Sequence, residues 1–232
     1  MFSLPTVERQ APGLVNLAKT AAVSLTKHGL AGQRAAVQLV LDHSGSMRPY
    51  YRDGSVQRLA EQTLALAANL DDDGSVPVHY FGTTVDHTID VTLSNYTGII
   101  GQTHTASAWG STDYVAALRE CASEHASSGA ESDMPGLVVF QTDGEPDNRD
   151  RAAHTLRALS NRPVFFAFVG YGPERNMHFL QQLDTLDGRQ VDNASFFHAP
   201  DPHNVSDSDL YDGITREFAT WITDARAAGI LR

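Results

Sequence analysis

Residues 35–47 read Ala35–Ala36–Val37–Gln38–Leu39–Val40–Leu41–Asp42–His43–Ser44–Gly45–Ser46–Met47. The first seven positions are almost continuously apolar, and the run ends at a carboxylate. A strand covered on both faces reads this way, because neither face needs polar residues for water. Upstream, Leu14, Val15, Leu17, Ala18, Ala21, Ala22 and Leu25 recur at helical spacing, with Pro12 in the first turn. Proline is tolerated there, so the spacing predicts a helix over 12–28, closed by Gly29 and Gly32.

The same alternation continues downstream. Helical spacing covers about 56–70, 113–126, 150–159, 174–185 and 208–228. Extended apolar runs cover 76–81, 136–142, 163–169 and 195–198, and His87 to Leu93 reads as an edge or near-edge strand. Strands alternating with helices of this length make βαβ units. The expected fold is α/β, a doubly wound and mainly parallel sheet with helices on both faces. An N-terminal helical extension (1–32) is expected to pack on a domain spanning 33–232. Phe165, Phe166, Phe168, Phe196 and Phe197 belong to core strands.

The chain has 232 residues, 41% hydrophobic and 19% charged, which excludes wholesale disorder. Lys and Arg number 17 against 28 Asp and Glu, a net charge of −11. That balance argues against general nucleic-acid binding and against an anionic membrane surface. Cys121 is the one cysteine, so an intramolecular disulfide and a cysteine-rich zinc site are excluded. Its place in a predicted helix suits a small buried apolar group. Met1 to Arg9 lacks the basic and apolar segments of a signal peptide. No run of about 18 apolar residues marks a membrane span. The expected compartment is the cytoplasm.

Ligands of parallel sheets bind outside the carboxyl ends of the strands. Asp42–Met47 follows the first strand, and Asp143–Gly144–Glu145–Pro146–Asp147 follows the strand at 136–142. Trp109–Gly110–Ser111–Thr112–Asp113–Tyr114 leads into a helix between them. Two carboxylates, Asp42 and Asp143, and three hydroxyls, Ser44, Ser46 and Thr112, are expected to converge there. Ser44 and Ser46 are spaced to point the same way, with Gly45 giving the backbone room. Oxygen donors of this kind suit a hard divalent cation, magnesium first, and disfavour zinc or copper.

Asp42-x-Ser44-x-Ser46, then Thr112, then Asp143–Gly144 resembles the metal-ion-dependent adhesion site of von Willebrand factor type A domains. The stretches Leu41–Met47, Gly110–Tyr114 and Gln141–Asn148 are most similar to the cytoplasmic bacterial branch associated with tellurium-resistance clusters, the TerF-like domains. Ser111 departs from the pattern, since many relatives carry a second glycine there. The resemblance implies that Ser44 and Ser46 bind Mg2+ directly, with Mn2+ or Ca2+ as alternatives. Thr112 would bind directly in the partner-competent state. Asp42 and Asp143 would act mostly through water. It implies a protein partner that offers an acidic residue, TerD-like proteins among the candidates, and a role in bacterial chemical-stress resistance. Nucleic acid and membrane insertion are not expected.

Plainer roles compete at several positions. Asp and Ser favour turns on their own. Asp147 or Asn148 reads better as the N-cap of the following helix. Asp71–Asp72–Asp73 reads as a solvated helix end, and Glu145 as a loop charge. His43 is expected to point away from the metal, in packing or at a rim. Met47, Tyr50, Tyr51, Trp109 and Tyr114 flank the site as core or interface rim. The main functional alternative is a magnesium-dependent phosphohydrolase or phosphotransferase. Ser44 stands where the haloacid-dehalogenase type needs a second aspartate, and GxxxxGK[ST] and GxSxG are absent. A binding module, not an enzyme, is the expected function.

Overall fold

In the computed structural model, which describes residues 4–71, 74–128 and 134–232, the apolar runs form one six-stranded sheet. The strands are β1 (Ala36–Asp42), β2 (Ser75–Phe81), β3 (Val85–Thr92), β4 (Gly136–Thr142), β5 (Val164–Tyr171) and β6 (Ala194–Ala199). Their spatial order is β3-β2-β1-β4-β5-β6. Only β3 is antiparallel, at the edge beside β2. The other pairs are parallel. Every residue of β4 and β5 is buried, which is why their sequences show no polar alternation. The edge strand β3 alternates half-buried with exposed positions.

The helices are α1 (Leu4–Gln10), α2 (Val15–Lys27), α3 (Arg48–Arg52), α4 (Ser55–Leu70), α5 (Ile99–Thr103), α6 (Tyr114–Ser127), α7 (Arg149–Leu159), α8 (His178–Asp184) and α9 (Asp207–Ala227). Period-2 geometry splits the strand residues between two apolar layers. Leu39, Leu41, Phe165 and Val169 face a layer with α1, α2, α4 and α9. Val40, Phe140, Phe166 and Phe168 face the layer of α6, α7 and α8. The N-terminal helices share the first of these cores through Val7, Ala18, Ala21 and Leu25. Asp212 of α9 accepts from Ser24 Oγ (2.6 Å) and Lys27 Nζ (2.5 Å), and lies 3.2 Å from His28 Nε2. These pairs fix α2 on α9. Cys121 is buried, as its apolar role requires.

The strand order reverses at β1, which has β2 on one side and β4 on the other. The crevice at the carboxyl ends of β1 and β4 is therefore the switch point of the sheet.

Several expected elements differ. The helix at 12–28 begins as a 3-10 turn, Pro12–Leu14, before α2. The helix at 174–185 breaks into a 3-10 turn, Glu174–Asn176, and α8. Buried Met177 sits between them at φ −103°, ψ 1°, outside the helical well. The short helices α1, α3 and α5 carry too few turns to show periodicity. Asp71 is half-buried, not merely solvated, and accepts from the Val37 backbone N–H (3.3 Å). Asp72 and Asp73, like Met1–Ser3, lie outside the described residues. No helix among the described residues is long and apolar enough to cross a membrane.

Candidate metal-ion site at the sheet switch point

Asp42 closes β1 and is fully buried. Its Oδ1 accepts from the Ser44 backbone N–H (2.8 Å), and its Oδ2 accepts from Thr142 Oγ1 (2.7 Å). Thr142 closes β4, so the parallel register Leu41↔Gln141 brings the two side chains together. Burial pushes the Asp42 carboxyl up to about 7, against the lowering effect of the hydrogen bonds from Thr142 and Ser44. Nearby Asp143 adds to the rise.

Ser44 opens a 3-10 turn, Gly45–Met47. That turn folds the i, i+2 hydroxyls together, with Ser44 Oγ 3.1 Å from Ser46 Oγ. Ser46 Oγ donates to Asp143 Oδ1 (2.9 Å). Four of the five expected residues thus form one hydrogen-bonded chain from Thr142 through Asp42, Ser44 and Ser46 to Asp143. Burial raises the Asp143 carboxyl, opposed by the bond from Ser46. Gly45 is not needed for space: a Cβ there would meet nothing within 4 Å, and its φ is not positive. Met47 is fully buried and belongs to the core, not the rim.

Thr112 arrives on a loop stitched to the ends of β1 and β2. Gly110 N–H donates to the His43 carbonyl (3.1 Å), and Asp113 N–H donates to the Gly82 carbonyl (2.8 Å). The Gly82 and Gly110 backbones touch: a Cβ on Gly110 would lie 2.6 Å from Thr83 N and 2.9 Å from Gly82 Cα. Ser111 fits without strain, exposed, its Oγ 3.2 Å from Thr83 Oγ1. Asp147 holds the loop from the other side. Its carboxylate accepts from Thr112 N–H (3.1 Å), and its own N–H donates to the Thr112 carbonyl (3.0 Å). Asn148, not Asp147, caps α7 by accepting from Arg151 N–H. Tyr114 is buried and donates to the Gly144 carbonyl (2.5 Å), which positions the turn after Asp143.

His43 is fully buried and packs away from the hydroxyls. Its ring stacks on Trp109 at 3.8 Å and 10°, and its Nε2 lies 3.2 Å from His104 Nδ1. The Arg48 guanidinium sits over Trp109, 5.0 Å from the ring centroid. These contacts join the two loops that carry Ser46 and Thr112.

Ser46, Thr112 and Asp143 line a cavity of about 320 Å³ with Gly144, Glu145, Arg175 and Asn176. Asp42 and Ser44 are buried and do not line it. Glu145 is half-buried and pairs with Arg149. Sequence reading missed Thr142, Asp147, Arg175 and Asn176. Arg175 and Asn176 follow the end of β5, so the strand-end rule that singled out Asp42 and Asp143 reaches them too.

The donor set fits a hard cation. It offers hydroxyl and carboxylate oxygens, clustered and partly desolvated, with two carboxylates whose charge burial disfavours. Among the described residues, no group of three or more His, Cys, Asp and Glu gathers to hold a metal; the donors that do cluster here are two carboxylates and the Ser44 and Ser46 hydroxyls.

A family model described as the vWA domain found in the TerF C terminus matches residues 34–231. The uncharacterized protein YcbR of Bacillus subtilis (strain 168) is 33% identical over 218 residues, covering 92% of this chain and 88% of its own. The manganese-loaded TRAP protein of Plasmodium vivax superposes with a TM-score of 0.55 at 19% identity, covering 82% of this chain and 74% of its own. The SpRpn10 VWA domain gives 0.53 at 12% identity, covering 76% and 93%. Those two likenesses speak to the fold.

Proposed function

The chain belongs to the TerF-like von Willebrand factor type A domains, and from that premise we propose a metal-dependent protein-interaction module. The cation is Mg2+, with Mn2+ or Ca2+ as alternatives, and the partner offers an acidic residue. The observation that carries this reading is the hydrogen-bonded chain from Asp42 through Ser44 and Ser46 to Asp143, at the wall of a cavity that Thr112 also lines. When bound, the ion supplies an electrophilic centre with a position left for a carboxylate. Ser44, Ser46 and Thr112 are the neutral oxygens that would hold it. Neutral donors leave the ion's positive charge largely uncompensated, which favours an incoming anion. Asp42 and Asp143 would offset only part of that charge from behind, while they orient the serines by accepting from the Ser44 backbone N–H and the Ser46 hydroxyl.

The same geometry speaks against the phosphohydrolase alternative. An aspartyl nucleophile needs a carboxylate oxygen open to substrate. Asp42 is fully buried and both of its oxygens accept hydrogen bonds. A cytoplasmic role in bacterial stress resistance, with TerD-like partners, is the pathway that the TerF-like branch favours.

Calorimetry with Mg2+ and Mn2+ tests the site. Wild type is expected to bind one ion, and Asp42→Ala and Ser46→Ala to bind at least about tenfold more weakly, the loss of about 1.4 kcal/mol. Equal binding in all three overturns the assignment. A pull-down in magnesium against chelator, repeated with Thr112→Ala, tests the partner. Chelator and the substitution should each release it, and together do no more than either alone.

A further inference from the structure

The cavity beside Ser46 has a wall of different chemistry. The 3-10 turn Glu174–Asn176, after β5, brings Arg175 to it. Arg175 is the one cation among the described residues that line this cavity. Its guanidinium makes no ion pair or hydrogen bond among the described residues. Two carboxylates line the same cavity, yet Asp143 takes the Ser46 hydroxyl and Glu145 takes Arg149. The turn that carries Arg175 is anchored. Asn176 N–H donates to the Pro173 carbonyl (3.0 Å), and Met177 N–H to the Glu174 carbonyl (2.9 Å). Met177 is fully buried, so close to Gly170 that a Cβ there would lie 2.5 Å from its sulfur.

An exposed, unpaired guanidinium on a fixed turn beside an anion-seeking centre has five N–H donors to offer. A guanidinium fork matches a carboxylate bidentately. It also offsets, locally, the repulsion that a chain of net charge −11 exerts on an acidic partner. We propose that Arg175 determines specificity by pairing with a second acidic group of the partner, so that the cavity reads two neighbouring carboxylates. This inference rests on the metal-dependent reading above.

Two blocked tetrapeptides test it, Gly-Glu-Gly-Gly and Gly-Glu-Glu-Gly, titrated into isotope-labelled protein and followed by backbone amide shifts. Each titration is run in magnesium and in chelator, with wild type, Arg175→Gln and Arg175→Lys. In magnesium, wild type should bind the diacidic peptide about fivefold more tightly, the scale of a partly exposed ion pair. Arg175→Gln should lose that preference, weakening the diacidic peptide more than the monoacidic one, and Arg175→Lys should keep part of it. If Arg175→Gln keeps the preference, or weakens both peptides equally, the inference fails although the metal-dependent reading stands. If the monoacidic peptide shows no difference between magnesium and chelator in wild type, the metal-dependent reading fails, and this inference with it.

Discussion

Gly110 shows how narrowly single residues set the site. A methyl group there would meet backbone atoms of Gly82 and Thr83, which cannot rotate away as a side chain would. Gly110→Ala should therefore destabilise the fold by about 1–3 kcal/mol, the range of overpacking. Gly45→Ala meets open space and should leave the urea midpoint nearly unchanged. Comparing the two midpoints checks the pair, and equal midpoints would refute the close approach. At this scale the sequence was informative where chemistry is local. Ser44 and Ser46 meet because two residues in one turn cannot be far apart. Asp147 was not legible as the clamp on Thr112. Its neighbour Asn148 is an equally good cap, and only the folded loop separates their roles.

Among the elements, β2 carries a group that ties sheet stability to pH. His79 is fully buried, 3.0 Å from Thr88 Oγ1 and 3.3 Å from Gln38 Oε1. Burial lowers its pKa from 6.5 to about 4, so the folded protein holds it neutral. The unfolded chain gains that proton first as pH falls. Its contribution is therefore complete above 6.5 and is lost between 6.5 and about 4, by at most about 3 kcal/mol. Glu217 of α9 acts in the opposite sense. Burial, with Asp184 and Asp192 nearby, raises it from 4.5 to about 7, so its cost grows as pH rises through that window. The two slopes oppose each other in wild type. The stability deficit of His79→Gln should shrink between pH 7 and 4.5, read from urea midpoints at both values. A deficit independent of pH would refute the assignment. The strands themselves were legible, because a strand covered on both faces has no polar alternation. The break at Met177 was not: the residue lies outside the helical well and packs against Gly170 of another element, a contact that periodicity does not report.

For the molecule as a whole, the two apolar layers supply a core that does not depend on a cation. The chelated protein should stay folded, with a single cooperative transition. A cation that binds only the folded state adds about 2.7 kcal/mol at 100 times its dissociation constant. Thermal melts in chelator and in magnesium check both statements. Complete unfolding in chelator would make the ion structural and weaken the adhesion-site reading. The N-terminal helices share this core, although the family match begins at residue 34. A truncation removing residues 1–32 should uncover the apolar surface against which Ala18, Ala21 and Leu25 are buried.

The alternation of apolar runs with helical spacing determined the sheet, and the carboxyl ends of its strands determined where to look. Asp42, Ser44, Ser46, Thr112 and Asp143 were readable because their residue types sit beside those ends in chain order. Tertiary structure alone decided that Thr142 holds Asp42 across 100 residues, that Asp147 clamps Thr112 across 35, and that Arg175 shares their cavity. The first two depend on strand register and loop crossings, and the third on where a loop after β5 comes to rest. Periodicity reports which face a residue takes within its own element; it carries no information about which distant residue lies opposite.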